Sequence, residues 1–290
     1  MKNSVLLIGN GINNINNKEN WADLLKSMTK TCKVENKVEI NNDKPFPLLY
    51  EEIYLKSTHI SELILKKHIA REVQNIEENE IHELIREKRF KDIITTNYEY
   101  TLQGKSLTLE NNIKNLGRIK ETKYSIFRHN KINDTRVWHI HGECKVPDSI
   151  TLGYEHYGGQ LQQMRNYVVS GTHYKKKQNQ NSLSSRLKSN EIFSESWLEL
   201  FFTRNIHIVG LALNFVESDI WWLLTYRARL KKIRENKISN KIFYYIPQKH
   251  CPTSKNKIEL LKAVDVNIIK NEKEGIPYYT EVIDNIHQKR

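Results

Sequence analysis

The sequence predicts an α/β fold in which a parallel β-sheet carries helices on both faces. Two observations support this prediction. Short apolar runs typical of buried strands alternate with stretches whose apolar residues recur at the helical period. The first run also ends in a Gly-x-Gly turn, at Gly9 and Gly11, before the helix-like residues 21–28. A strand followed by such a turn and a helix is typical of nucleotide-binding sheets.

The predicted elements follow in chain order, with boundaries set by apolar periodicity and by Gly and Pro. Strands are expected at residues 4–8, 90–95, 137–142, 205–213, 241–247 and 264–269. Helices are expected at residues 21–31, 48–55, 60–76, 81–88, 158–170, 191–202 and 217–229. The polar stretches predict a loop or short β-ribbon at 33–44, a short strand and turn at 110–118, a connection at 125–135 and a mobile loop at 173–188.

The length and composition set limits on the domain organisation and the partners. A chain of 290 residues can form one α/β domain with large insertions or two small domains. We expect one domain over residues 1–290, with helical or loop insertions at about 45–88 and 155–203. The net charge of +12 raises the question of nucleic-acid binding. Basic residues concentrate only at 175–188 and 227–237, and we expect these stretches to form solvated surface, leaving nucleic-acid contact open.

Several classes of protein are disfavoured by what the sequence contains. Its three cysteines are scattered without a C-x-x-C spacing, so neither a zinc site nor a disulfide framework is predicted. No apolar run approaches the roughly 20 residues of a membrane span. The apolar residues of the first strand begin at Val5, so we expect no signal peptide before it. We therefore expect a cytoplasmic protein with no membrane association.

Polar residues follow the predicted strands at the edge where open α/β sheets bind ligands. Thr95, Thr96 and Asn97 follow the second strand, and His141 follows the third. Residues far apart in sequence can therefore share one crevice. His139 lies deeper in its strand and is expected to be a structural histidine, whereas His141 at the strand end is expected to be more exposed and functional.

The four strand ends, read in order, are GNGIN, TTNYE, HIHG and VGLALNFVESD. Together they resemble the SIR2 (sirtuin) superfamily, from Val5 to about Ile269. This resemblance implies a Rossmann-like domain that binds NAD+. The four-cysteine zinc module of deacetylating sirtuins is missing, and the stretch with Trp21 and Leu24-Leu25 is similar to the bacterial SIR2-like NADase subgroup of antiphage defence systems.

The resemblance also implies which residues form the site. Asn97 would contact a ribose hydroxyl or the attacking water, and His141 would accept a proton; the alternative for Asn97 is a turn residue that caps a helix. Asp219 is either a ribose contact or an acid of an early helical turn, and Glu99 replaces the usual Asp. The implied NAD+-binding residues are Gly9, Asn10, Gly11, Ile12, Asn13, Thr95, Thr96, Asn97, Gly142, Gly210, Leu211, Asn214 and Asp219.

The implied activity is cleavage of NAD+ to nicotinamide and ADP-ribose, with NAD+ as the substrate and without a metal. The subgroup implies a homo-oligomer acting with a co-encoded ATPase/helicase-like or sensor protein. Contact with nucleic acid stays open, either through that partner or through the basic surface of this chain. Two alternatives stay open. One is an NAD-dependent protein deacylase or ADP-ribosyltransferase, and the other is a non-catalytic subunit that binds a nucleotide or builds an oligomer.

Overall fold

An eight-stranded mixed sheet organises the chain. The computed structural model describes residues 4–16, 21–41, 43–104, 115–174, 178–233 and 238–288. The strands are β1 (Ser4–Ile8), β2 (Asp92–Thr95), β3 (Asn115–Leu116), β4 (His129–Ile132), β5 (Thr135–His139), β6 (Thr172–Tyr174), β7 (Gln178–Gln180), β8 (Asn205–Val209), β9 (Ile242–Pro247) and β10 (Val266–Asn271). The large sheet has the order β10-β9-β8-β1-β2-β5-β4-β3, and β6 and β7 pair separately. From β10 to β5 the strands are parallel, and β5, β4 and β3 are antiparallel.

Helices cover the sheet and form a cap beside it. They are α1 (Trp21–Cys32), α2 (Phe46–Lys56), α3 (Glu62–Gln74), α4 (Glu80–Glu87), α5 (Tyr154–Arg165), α6 (Leu183–Ser189), α7 (Trp197–Thr203), α8 (Ser218–Lys232), α9 (Lys255–Ala263) and α10 (Gly275–Gln288). A 3₁₀ helix, Asn10–Asn16, follows β1, and a π-helical turn, Asn166–Ser170, continues α5.

The sheet is buried on both faces, as the alternation of side chains along β1 demonstrates. Val5 and Leu7 pack in one apolar cluster with residues of α7 and α8, such as Phe201. Leu6 and Ile8 point the other way, into a cluster with residues of α4 and α10, such as Ile85. The predicted α/β fold with helices on both faces is therefore confirmed.

A third apolar cluster joins the helices between β1 and β2. Leu25 of α1, Tyr50 of α2 and Leu65 of α3 are buried together, and Leu152 from the segment before α5 packs with them. These helices form a small layer with its own core. Of these helices, α2 and α3 lie within the residues where an insertion is expected, about 45–88.

Two predicted connections contain regular structure. The connection expected at 125–135 includes β4, which forms a hairpin with β5 through the pair Ile132 and Thr135. The mobile loop expected at 173–188 includes the β6–β7 pairing and α6, with Lys175–Lys177 lying outside the described residues. Likewise, residues 110–114 of the short strand expected at 110–118 lie outside them.

We expected the two basic stretches at 175–188 and 227–237 to form solvated surface. This expectation is wrong in part, because each stretch contains a buried arginine. Arg186 is buried and its Nη1 lies 2.6 Å from Glu199 Oε1. Arg227 is also buried, with its Nη1 3.0 Å from Asp265 Oδ2. Both guanidinium groups therefore bind carboxylates within the fold.

Among the described helices, none is long and apolar enough to cross a lipid bilayer.

Candidate active site

The register of the sheet brings four strand ends together. Ile8 of β1 is aligned with Thr95 of β2 on one side and with Val209 of β8 on the other. Thr95 is in turn aligned with His139 of β5. Because these strands are parallel, the residues that follow them meet at one edge of the sheet. Asn97 and His141, each two residues beyond an aligned pair, consequently lie on neighbouring strand ends.

The glycine turn after β1 packs directly against the turn after β8. The Gly9 N–H donates to Val209 O at 3.1 Å, and the Gly11 N–H donates to Gly210 O at 2.7 Å. A Cβ on Gly9 would lie 2.5 Å from Leu211 Cα, and Gly210 has φ +65°. The glycines are required for this close approach of two backbones. A pyrophosphate would therefore have to take its hydrogen bonds from other donors of this turn.

Asn13 fixes the 3₁₀ helix by three side-chain hydrogen bonds. Its Nδ2 donates to Asn10 Oδ1 at 2.8 Å and to Glu99 Oε1 at 2.9 Å, while its Oδ1 lies 2.9 Å from His82 Nε2. His82 Nδ1 accepts from the Asn79 N–H, so Nε2 carries the ring proton toward Asn13. Burial, with a smaller effect from a nearby guanidinium, lowers the pKa of His82 to about 4 and keeps the imidazole neutral.

Asn97 is held by its backbone, while its side-chain nitrogen makes no hydrogen bond to the described residues. The Asn97 N–H donates to Thr95 Oγ1 at 3.1 Å, and Asn97 O lies 2.7 Å from His139 Nδ1. The neighbouring Thr96 N–H donates to Ile8 O at 3.2 Å. Asn97 is 5% exposed, and its Nδ2 has no hydrogen-bond partner in the described part of the chain. A buried amide left without a partner is costly and marks a position where a ligand would complete the bonding.

His139 is a structural residue, as predicted. Its Nδ1 donates to Asn97 O, and its Nε2 lies 2.6 Å from Gln103 Nε2. The side chain is buried, and the ring of Tyr100 packs against it at a centroid distance of 5.3 Å. With both ring nitrogens engaged, His139 supports the backbone that carries Asn97.

His141 is bound to an acid from a distant helix. Its Nε2 lies 2.9 Å from Oδ2 of Asp219, which is in the first turn of α8. Burial alone would lower the pKa of His141, but the charges of Asp219 and Glu217 and the Asp219 hydrogen bond outweigh it and raise the pKa. His141 is 2% exposed, so our expectation of an exposed residue was wrong. The ring of Tyr157 covers it at a centroid distance of 5.4 Å.

The glycine after His141 allows the chain to turn away from the strand. Gly142 has φ +99°, and its N–H donates to His139 O at 3.2 Å. The carbonyl of His141 accepts from the Thr151 N–H at 2.8 Å. A non-glycine residue rarely adopts this positive φ. The backbone that carries His141 is thus fixed on both sides of the residue.

Glu217 is a site residue that the sequence interpretation missed. It directly precedes α8, and its Oε2 is buried without a partner in the described residues. Burial is the main cause that raises the pKa of Glu217 to about 7, with a further increase from Asp219 and a decrease from His141. In the sequence interpretation Glu217 was only the first residue of the helix predicted at 217–229, whereas Asp219 was also considered as a ribose contact. The available signal was the pair of acids, Glu217 and Asp219, on either side of Ser218 at the start of this helix.

A cavity of about 400 Å³ opens at the same sheet edge, beside the start of α9. Asn214, one of the predicted NAD+-binding residues, lines it, whereas Leu211 is buried. The lining residues are Leu213, Asn214, Phe215, Pro252, Thr253, Ser254, Lys255, Asn256 and Lys257. Asn97 and His141 are not among them.

Potential metal ligands do not cluster in the described part of the chain, and metal-independent chemistry stays a prediction. Across the described residues, no three His, Cys, Asp or Glu side chains are grouped so that they could hold a metal ion. Cys32 and Cys144 are buried, and Cys251 is partly buried. His141 and Asp219 together supply two potential metal ligands, and these two groups are hydrogen-bonded to each other.

The sequence matches the model of the SIR2-like domain over residues 91–266, which is more than half of the chain. The chain therefore belongs to the SIR2-like domain family. No curated protein matches the sequence. SIR2-like domains use NAD+, so membership fits an NAD-dependent enzyme in general. The matched residues include Asn97, His141 and Asp219, whereas β1 and its glycine turn precede them.

Proposed function

We propose that this chain is an NAD+ glycohydrolase that cleaves NAD+ to nicotinamide and ADP-ribose. The observation that carries the proposal is the convergence of Asn97, His141 and Asp219 at one sheet edge in a SIR2-like chain. Asn97 contributes a buried amide nitrogen without a partner among the described residues, and His141 contributes an imidazole beside a buried carboxylate. These are the groups needed to orient a ribose or a water molecule and to accept a proton.

The reaction places modest demands on the protein. Nicotinamide departs with the electron pair of the C–N bond, which neutralises its ring, and leaves an oxocarbenium-like ribose. Water then adds to the ribose carbon, and its proton passes to His141. Asn97 would orient the water or a ribose hydroxyl through its amide. Each of these contributions is typically worth about 100-fold or more in rate.

The three cysteines of the chain are too few for the four-cysteine zinc module of deacetylating sirtuins. That count supports hydrolysis over protein deacylation.

We further propose that the enzyme depletes NAD+ in antiphage defence, as a homo-oligomer that acts with a co-encoded ATPase/helicase-like or sensor protein. Co-expression with its genomic neighbours and a plaque assay would test this role. Equal plaque numbers with wild type and His141→Ala would contradict it.

The catalytic proposal is tested by incubating the purified chain with NAD+, alone and with its genomic neighbours' products. Release of nicotinamide and ADP-ribose is followed by liquid chromatography and mass spectrometry. Asn97→Ala and His141→Ala are each expected to lower turnover by about 100-fold or more. His59→Ala is the matched control because His59 is exposed and lies outside the site. It should retain wild-type turnover.

The other outcomes each contradict the proposal in a recognisable way. O-acyl-ADP-ribose formed from an acylated peptide would indicate a deacylase, and covalently modified protein would indicate an ADP-ribosyltransferase. Binding of NAD+ without turnover in every mixture would indicate a non-catalytic subunit. Unchanged turnover in His141→Ala would exclude the proposed role of that residue.

A further inference from the structure

The His141 imidazole is oriented by a carboxylate, and this fixes which ring nitrogen can act. Nε2 of His141 lies 2.9 Å from Asp219 Oδ2, and the two side chains are 3% and 0% exposed. An ionised carboxylate only accepts hydrogen bonds, so Nε2 must carry a proton in this pair. Because a neutral imidazole has one N–H, the other nitrogen, Nδ1, is then unprotonated and able to accept a proton.

The surroundings of the ring leave Nδ1 for a substrate. Among the described residues, the one hydrogen bond to the His141 ring is that to Asp219 at Nε2. Tyr157 packs edge-on against the ring, at an interplanar angle of 81°, and the Thr151 N–H holds the His141 carbonyl. These contacts oppose rotation of the ring. They keep Nε2 toward Asp219 and Nδ1 on the opposite side.

We propose that Asp219 is a positioning residue that holds His141 in the Nε2–H tautomer, so that Nδ1 accepts the proton of the attacking water. The inference rests on the proposed NAD+ hydrolysis and assigns the atom that takes part in it. The water forms the bond to the ribose carbon, nicotinamide keeps the electron pair of the broken bond, and the water's proton moves to Nδ1. The imidazolium then faces the carboxylate of Asp219 until the proton leaves for solvent.

The charged groups around the ring support this role. Asp219 and Glu217 both approach from the start of α8 and stabilise a positive imidazole. Tyr157 faces it from α5, and Tyr98 lies near both acids. Lys257 of α9 interacts electrostatically with Glu217 and donates to Ala212 O at 2.7 Å. The second oxygen of Asp219, Oδ1, is buried without a partner in the described residues, so His141 is the one hydrogen-bond partner of this carboxyl group there.

The test compares Asp219→Asn with the wild type in two measurements. In the first, kcat for NAD+ hydrolysis is expected to fall by at least about 10-fold, with KM nearly unchanged. The acidic limb of the kcat profile should also move to lower pH, because loss of the carboxylate charge lowers the pKa of His141. A purely structural role would lower the amount of folded enzyme without moving that limb.

The second measurement does not depend on activity. Nitrogen-15 NMR of the histidine rings in the free protein reports the tautomer and the pKa of each imidazole. The wild-type His141 should be protonated at Nε2 when neutral and should have a pKa above 6.5. In Asp219→Asn its pKa should fall, while the resonances of His139 should remain unchanged.

Three further variants separate the hydrogen bond from charge and from folding. Asp219→Glu keeps the charge and should recover part of kcat. Glu217→Gln removes a nearby charge but leaves the hydrogen bond, so the Nε2–H tautomer should persist. Asp23→Asn is the matched control because Asp23 also lies in a first helical turn, in α1, but its side chain is 69% exposed. It should not alter kcat or the ring resonances.

The outcomes distinguish this inference from the proposed function. The role of Asp219 would be overturned if Asp219→Asn had the turnover, the pH profile of kcat and the His141 resonances of the wild type. NAD+ hydrolysis by the chain would then remain as proposed. An Nδ1–H tautomer in the wild type would overturn the assigned atom. Absence of turnover by the wild type, alone and with its partners, would overturn the proposed function and the catalytic role of Nδ1 with it.

Discussion

His139 and His141 lie two residues apart and are both buried, yet their rings have different surroundings. His139 is bonded at both nitrogens, to Asn97 O and to the Gln103 side chain. His141 is bonded to Asp219 at Nε2. The sequence predicted a strand at 137–142 that includes both residues, whereas β5 ends at His139. The structural role expected of His139 is confirmed, and the functional role of His141 stays a prediction. The burial of His141 could not be predicted, since the covering Tyr157 lies on a helix with no periodic relation to β5.

At the residue scale, Gly9 should be sensitive to the smallest substitution. In Gly9→Ala, the new Cβ would meet Leu211 Cα at 2.5 Å and Gly210 O at 2.7 Å, both of which belong to the backbone. The turn after β8 would have to move away. We expect a loss of about 1–3 kcal/mol in the free energy of unfolding, measured by urea denaturation.

Gly158→Ala is the control for this substitution. Gly158 lies inside α5, and a Cβ there would meet no atom within 4 Å. Because alanine favours a helix by about 1 kcal/mol over glycine, this variant should be as stable as the wild type or more stable. Equal stability of Gly9→Ala and the wild type would show that the two turns are not tightly packed.

At the scale of elements, the 3₁₀ helix after β1 depends on the start of α4. Asn79 caps α4 through the Ile81 N–H, and its Nδ2 donates to Ile12 O at 2.8 Å. His82 of the same helix bonds to Asn13. The glycine turn was predictable from the sequence, because Gly-x-Gly after an apolar run is a local signal. The hydrogen bond that joins this turn to α4 could not be predicted, because Ile12 and Asn79 are distant in sequence.

Asn79→Ala should weaken both functions of this residue. It removes a helix cap, worth about 1 kcal/mol, and a hydrogen bond to Ile12 O, worth about another 1 kcal/mol. We expect about 2 kcal/mol lower stability by urea denaturation, and weaker NAD+ binding by calorimetry because the turn is released.

Ser61→Ala is the matched control for Asn79→Ala. Ser61 caps α3 and accepts from the Ile64 N–H at 3.4 Å, and it is exposed. Its loss should cost about 1 kcal/mol or less and leave NAD+ binding unchanged. If both variants bind NAD+ equally well, the contact between α4 and the 3₁₀ helix has no part in binding.

The sequence interpretation missed β4 and α10, each for its own physical reason. β4 reads HNKI, with a single aliphatic residue, because it forms the antiparallel part of the sheet, where one face need not be apolar. The C-terminal helix α10 begins at Gly275 and contains Pro277, both of which disfavour a helix on local grounds. Burial of Tyr278, Val282 and Ile283 against the sheet stabilises α10 instead.

For the whole molecule, stability should fall on acidification from pH 6.5. Burial is the main cause that lowers the pKa of His82 and of His156 to about 4. The unfolded chain binds these protons near pH 6.5 and the folded chain near pH 4, so protonation favours unfolding in this window. Each histidine contributes at most about 3 kcal/mol. Urea denaturation at pH 7 and pH 4.5 would measure the difference.

Glu217 acts in the opposite direction within the same window. Its pKa, raised to about 7, means that the folded chain holds this proton after the unfolded chain has lost it near pH 4.5. Its contribution to stability therefore increases as the pH falls from 7 to 4.5. In Glu217→Gln we expect a steeper loss of stability on acidification than in the wild type. An equal or shallower loss would contradict the raised pKa of Glu217.

Most of the sheet was predictable at the scale of the whole molecule because buried parallel strands are short, continuous apolar runs. The convergence of their ends followed from the topology. The partnership of His141 with Asp219 did not, because it depends on how α8 is set against β5. Sequence pattern indicated a polar edge, and packing decided which acid meets which base.

β1 occupies the centre of the sheet, although it precedes both of its neighbours in the chain. Its neighbours are β2 and β8, and the pairing of Ser4 with Asn205 is made only after most of the chain has been synthesised. Throughout that time an apolar strand has one open edge, which favours pairing with other chains. The nascent protein should therefore depend on chaperones, and slow translation before β8 should increase its tendency to aggregate.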